Sequence, residues 1–472
     1  MTETAPAARL ERFTPAVVWA VWVGMTVGAG IYVGLYGLRM PFADEWQFID
    51  VTTGRAEPTW DWIWSPHNDH RLPLARVVYL ALGRSTGYDY RLMAMANVVC
   101  LSAAAAVMLR AAQYISGGTR LFHTLIPVSL LHWGHEINLT WSMQICFTLA
   151  TLLASVLLCV MVSTRERLTL PAALTTALAA LLLSMCGGWG LIYLPFAAAW
   201  LTWAGLRRAG AATNERTAGA AIALIGVGLF AACAAYGLNQ PRSVPEFYSS
   251  SLGQTIGAAM NLLATGWGPI GKSIRPVSPL LITAAIIAGF CFLARAWRRE
   301  TIDRVPAVGL LLYFCGGLTL LAAIAYGRAG QGATLQTRYG LGFVPLIIST
   351  VFLIARYGRF TFPRRLVGPA IVALAAIVIV NDLRGMLDGR RRRTAVQQVI
   401  DDARTGVTYA ELGRRHHKTL HSSPAALAQY LSQLHASRIS PYGDFSDRAT
   451  PDDAAVPTSD ARTADAIDEL RR

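Results

Sequence analysis

Long apolar runs alternate with short polar connections through most of the chain, and this pattern sets the architecture. A helix needs about 20 mostly apolar residues to cross a hydrocarbon core roughly 30 Å thick. Runs that meet or approach this length cover 15–37, 90–112, 121–133, 140–162, 168–185, 190–206, 218–238, 277–294, 305–326, 339–355 and 366–382. The pattern predicts an all-α polytopic membrane protein with about eleven transmembrane helices. The third run is the shortest. The first is read as a true span, because its apolar stretch is too long for a cleavable signal peptide and no small-residue cleavage site follows.

Composition agrees with this class. Of 472 residues, 54% are hydrophobic and 15% charged, against roughly 25% charged in soluble domains. Seven cysteines lie within or at the ends of apolar runs without a CxxC pair. They read as small core hydrophobes, not as a disulfide or zinc framework. The net charge of +14 comes from 42 basic residues, of which only Lys272 and Lys418 are lysine.

Where the arginines sit explains that charge. Alternate connections carry Arg110/Arg120, Arg165/Arg167, Arg207/Arg208/Arg216, Arg295/Arg298/Arg299/Arg304 and Arg356/Arg359/Arg364/Arg365, whereas those after Trp133 and Met185 carry none. By the positive-inside rule these arginines, with Arg9 and Arg12, are cytoplasmic. Residues 1–14 are then inside, 15–382 form the membrane domain, 383–443 form a partly helical tail outside, and 444–472 are disordered. The charge reads as topology, so nucleic acid is not expected as a partner. Polar residues gather outside, in loops 38–89, 239–276 and 327–338 and in the turn near His135.

The first outside loop opens with Asp44-Glu45-Trp46. A carboxylate pair this near a membrane surface is costly unless hydrated, paired or functional. Asp44 could simply cap a short helix, which leaves Glu45 unexplained. Trp60, Trp62 and Trp64 fit an interfacial belt or a sugar-stacking surface, and the sequence leaves both open. His67-Asn68-Asp69-His70-Arg71 follows. No second cluster supports zinc ligation, so a hydrogen-bonded cluster that orders the loop is the simpler reading. Segment 73–83 is apolar, too short to span, and expected along the interface.

These residues together resemble the GT-C superfamily of glycosyltransferases, in a loosely characterised bacterial branch. The resemblance rests on the acidic-Trp motif at 44–46 and the His-Asn-acidic-His-Arg motif at 67–71. It also rests on His135-Glu136-Ile137-Asn138 ahead of Trp141 and Gln144, and on Gly327-Arg328 and Arg338-Tyr339. One departure is Ile137, where the branch tends to run Glu-Asn directly. The resemblance covers most of 15–382. It implies a polyprenyl-phosphate-linked sugar as donor and a glycan, glycolipid or protein as acceptor. It also implies a bacterial cytoplasmic membrane as location and, in some members, a divalent metal (Mg or Mn).

Such a reaction needs a base, cations at the leaving phosphate and a groove for the lipid. Asp44 matches the catalytic acidic position, with Glu45 as alternative or orienting partner. Glu136, His67, Asp69, His70, Arg71, Trp46 and Tyr339 are expected at the substrates. Arg328 and Arg338, poorly placed for a positive-inside role, suit the phosphate, because a guanidinium fork binds it in a bidentate way. Their other reading is anchoring to anionic headgroups. Two further function classes stay open: a transporter or flippase for lipid-linked sugars, and an O-antigen-type polymerase or ligase. Nearly charge-free spans argue against a transporter. The Arg390–Arg393 block reads as a headgroup-binding patch just beyond the last span.

Overall fold

A computed structural model describes residues 5–165, 167–211, 213–241, 245–275, 277–299, 303–330, 337–358, 364–439 and 442–445. Among these residues the regular elements are all helices, with a single isolated bridge between His67 and His70. Among the described residues, eight helices are long and apolar enough to cross a membrane: Phe13–Tyr36, Tyr90–Ser116, Ser142–Ser163, Gly188–Ala209, Thr213–Leu238, Val277–Arg298, Arg304–Arg328 and Thr337–Tyr357.

Three of the eleven expected runs take other forms. Run 121–133 breaks into a 3-10 turn and the seven-residue helix Leu125–Leu131, too short to span. Run 168–185 becomes the 15-residue helix Leu170–Ser184. Run 366–382 is the first part of one helix, Arg364–Arg404, of 41 residues, about 60 Å long at 1.5 Å per residue. The helix runs without a break through residue 383, where the membrane domain is expected to end. The helix continues past any membrane core into the tail, where Tyr409–Leu420 and Pro424–Ser437 follow. Of residues 444–472, expected to be disordered, Asp444 ends a 3-10 turn and Phe445 packs into the tail's core, while 446–472, and 331–336 of the late loop, lie outside the described residues.

The membrane helices share one apolar core, which includes Leu101, Leu157, Leu194, Trp200, Phe314 and Leu346. A second cluster is built by the tail. Leu38, Met40, Trp46 and Ile49 of the first loop pack on Val396, Val399, Ile400, Leu412 and Leu431. The tail is thus docked on the first loop, and the end of the first span meets the middle of the long helix.

Two small residues let the long helix pack closely on the turn at 133–135 and on the first span. A Cβ on Gly385 would sit 2.1 Å from the Trp133 carbonyl oxygen, and one on Gly389 would sit 2.5 Å from the Tyr32 hydroxyl. This small-xxx-small spacing lets backbones approach closely. The Tyr32 hydroxyl donates to the Gly385 carbonyl at 2.6 Å.

Candidate functional site

Asp44 and Glu45 begin a 3-10 turn, Ala43–Phe48, directly after the first span. They are neighbours with opposite environments. Glu45 is 1% exposed. Its Oε2 accepts from the Phe42 N–H at 2.8 Å, and its Oε1 accepts from the Met143 N–H at 2.9 Å and from the Ser142 hydroxyl. Both oxygens are committed to holding the turn against 142–143, which leaves no open face for a base. Burial pushes its carboxyl up to about 8, against the pull of these three donors.

This shift has a measurable consequence. Below the ordinary value of 4.5, folded and unfolded chains both hold the proton. Between there and about 8 the folded chain holds it preferentially, so stability falls as pH rises through that window and is flat above it. Thermal unfolding of the purified chain is expected to show this slope, and Glu45→Gln to flatten it while lowering stability overall. An unchanged slope in Glu45→Gln would remove Glu45 as its cause.

The Asp44 side chain is 35% exposed, and its Oδ2 lies 3.7 Å from Nε2 of His67, which is itself buried. Burial alone would raise this carboxyl. His67, then Arg338 and His70, outweigh it and hold the group below its ordinary value, hence ionised at neutral pH. The backbone is set around it. Ala43 has φ 49° and Asn68 φ 54°, two of four non-glycine residues with positive φ among the described residues. Such conformations cost of order 1–3 kcal/mol each and persist where the surroundings over-determine them. Here the Glu45 hydrogen bonds fix one side. On the other, paired His67 and His70 backbones bond N to O at 2.7 and 3.2 Å.

Arg76 braces this loop from beneath. Buried in helix Pro73–Thr86, it donates to the carbonyls of Ser65 at 2.9 Å and Pro66 at 3.2 Å, and to that of Trp62. Its guanidinium lies 4.9 Å from the Trp62 ring centre. Trp60 is 70% exposed, as an interfacial aromatic would be.

The three expected outside loops and the Glu136 turn do converge. Arg328 Nη2 reaches both Asp69 oxygens at 2.8 and 2.6 Å, and Asp69 Oδ1 is 2.8 Å from His70 Nδ1. Arg71 Nε donates to the Asn239 carbonyl at 3.2 Å, and its Nη1 to that of Trp64. Phe247 lies under Arg328, 5.7 Å from its guanidinium carbon. Asn138 donates to the Arg338 carbonyl at 3.3 Å.

Several expected substrate contacts therefore have other employment. Arg328, a candidate for the phosphate, and Arg71, expected at the substrates, tie loops together. Trp46 is fully buried, donates to the Leu420 carbonyl at 2.9 Å and stacks on Tyr430, so it anchors the tail. Glu136, expected at the substrates, is held by Arg392 at 2.5 and 3.0 Å. Arg392 was expected to face headgroups with its neighbours, yet it turns inward and lies 5.2 Å from the Phe42 ring centre.

Arg338 stays open. Its Nη2 donates to the Tyr339 hydroxyl at 3.3 Å and its guanidinium lies over that ring at 5.1 Å. No carboxylate of the described residues pairs with it. Its Nε is buried without a hydrogen-bond partner, as are His67 Nδ1, Asn138 Oδ1, Trp141 Nε1 and Gln144 Oε1. Buried polar atoms of this kind are ordinarily met by water or a ligand. Among the described residues, no three His, Cys, Asp or Glu side chains gather as a metal site. The proposed mechanism routes no step through a divalent cation.

The helical phase of the long C-terminal helix carries the signal for Arg392. It lies four, seven, eight and eleven residues before the buried Val396, Val399, Ile400 and Ala403, which puts it on their face. No family model, curated protein or solved structure matches the chain.

Proposed function

We propose that this chain is a membrane glycosyltransferase. It moves a sugar from a polyprenyl-phosphate donor to an envelope glycan, glycolipid or protein on the outer face of a bacterial cytoplasmic membrane. The observation that carries the reading is a partly exposed, ionised carboxylate, Asp44, in the field of an arginine, Arg338, that makes no ion pair with a carboxylate of the described residues. The GT-C resemblance supplies the substrate class.

In this mechanism the acceptor hydroxyl oxygen attacks the anomeric carbon as the bond from that carbon to the phosphate oxygen breaks. The hydroxyl proton passes to Asp44, and polyprenyl phosphate leaves with the bonding pair. Asp44 remains ionised beside His67, so it is ready to accept that proton. Arg338 offers its free N–H donors to the phosphate as negative charge builds there. Charge-assisted bonds of this kind are worth roughly 1.5–3 kcal/mol each. The Arg328–Asp69 ion pair ties the first outside loop to the third.

Arg338→Ala is expected to weaken use of the lipid donor more than Arg338→Lys, because lysine keeps the charge but loses the fork. Initial rates against donor concentration measure this, and wild-type rates in both variants would assign Arg338 to membrane anchoring. A reporter fused after Trp64 is expected to read outside and one after Arg299 inside. Both on one side would sink the outer-face placement.

A further inference from the structure

The C-terminal helix presents a second surface that the proposed reaction does not use. Along its outward face Val372, Ile379, Leu383 and Leu387 are at least half exposed. One turn later the same face carries exposed Arg390 and Arg391, then Thr394 and Gln398. A helix that changes from apolar to basic to polar along one stripe marks the level where hydrocarbon gives way to headgroups.

The first span reaches the same level beside it. Its exposed residues Val27, Ile31 and Leu35 share one face and end at Tyr36. The two helices meet there: a Cβ on Gly389 would lie 3.1 Å from Tyr36, and Arg393 donates to the Leu35 carbonyl at 2.7 Å. Between them opens a cleft of about 470 Å³ lined by Tyr36, Arg390, Arg393, Thr394 and the glutamines at 397 and 398, with Asp401 its one carboxylate. Asp401 accepts from Gln397 at 2.9 Å. Arg391, next to the cleft, lies 3.5 Å from Asp388. Arg390 makes no hydrogen bond or ion pair with the described protein.

We propose that this cleft binds the phosphate of an anionic phospholipid whose acyl chains lie along the exposed apolar faces of the two helices. Charge complementarity selects the occupant. Arg390 and Arg393 supply positive charge at headgroup depth, Tyr36 and Thr394 supply hydroxyl groups, and the apolar stripes begin directly below. A soluble phosphate would use the arginines but leave the stripes unused. The proposal is independent of the glycosyltransferase reading and of which side the tail faces. It has a structural consequence, because Arg392 lies on the same turn: a lipid held here braces the helix that holds Glu136.

The test uses the full chain purified in detergent. Equal amounts of phosphatidylglycerol and phosphatidylcholine are added, and retained lipid is read by native mass spectrometry. Wild type is expected to retain phosphatidylglycerol preferentially. Arg390→Gln and Arg393→Gln are each expected to lower that preference about fivefold, and together about 25-fold. Arg298→Gln, an exposed arginine away from the cleft, leaves it unchanged. Glycerol phosphate at millimolar concentration does not displace the lipid. Equal retention of the two lipids by wild type, or unchanged preference in the double variant, overturns the proposal. Displacement by glycerol phosphate overturns it too, and identifies a soluble phosphate site. Should the double variant aggregate, Arg390→Gln alone decides, because that side chain holds nothing in the fold.

Discussion

Arg392→Ala is expected to destabilise the protein by about 3–5 kcal/mol, the usual result of stripping one partner from a buried ion pair. Both Glu136 oxygens are held by the guanidinium, at 2.5 and 3.0 Å, and the two side chains are only 9% and 19% exposed. Removing the cation leaves a carboxylate with little water to replace it. It also removes the group that lies over Phe42, whose N–H is held by Glu45. The loss should therefore extend to the turn that presents Asp44. Replacing both partners together, as Arg392→Met with Glu136→Leu, is expected to recover much of the stability, since the desolvation cost of two charges disappears with them. Thermal unfolding in detergent measures all three proteins. An Arg392→Ala variant that melts with wild type would mean that the pair contributes nothing to holding the tail. A double variant no better than the single would locate the damage in packing and not in charge.

Asp44→Asn is expected to lower sugar transfer by ~10²–10⁴-fold, the usual contribution of a positioned general base. Asparagine is nearly isosteric and keeps an oxygen toward His67, so the turn should still fold and the chain still insert. What it loses is the ability to take a proton and the negative charge that His67 and Arg338 stabilise. Asp44→Ala separates the alternatives. If Asp44 only shapes the turn, alanine should be unstable and asparagine active. If it is the base, both should be inactive and stably folded. Glu45→Gln is the internal contrast, because its carboxyl group is committed to Phe42, Ser142 and Met143. It is expected to lose stability before it loses chemistry.

The sequence makes the class and the polar face legible, and leaves long-range pairings hidden. Apolar run length finds eight helices that can span a membrane, but it is blind to what interrupts a run. Run 121–133 contains Pro127 and ends in 3-10 turns on both sides, so it never extends to spanning length. Run 366–382 stops by composition at Asp382, while the helix continues, because the charged residues beyond it are good helix formers and their apolar neighbours find the first loop to pack on.

Within the candidate site, Asp44, His67, Asp69, Arg328 and Arg338 could be singled out because charges near a membrane need a reason. Their partners could not. Asp69 and Arg328 are 259 residues apart, and Glu136 and Arg392 are 256 apart, so no local spacing announces either pair. The difference between Asp44 and Glu45 is likewise a matter of which side of a 3-10 turn faces inward, and composition carries no trace of it. Trp46 shows the same limit: a tryptophan in a conspicuous motif is a buried anchor for a helix nearly 400 residues later.

The most direct measurement follows the lipid donor. Purified wild type and Asp44→Asn are placed in proteoliposomes with a polyprenyl-phosphate-linked sugar and an acceptor, and both released polyprenyl phosphate and glycosylated acceptor are counted. The expected result is one polyprenyl phosphate released per sugar transferred by wild type, with both falling ~10²–10⁴-fold in the well-folded variant. Wild type that carries the intact lipid-linked sugar between leaflets without releasing polyprenyl phosphate, or Asp44→Asn turning over at the wild-type rate, would contradict the assignment of this chain as a glycosyltransferase acting through Asp44.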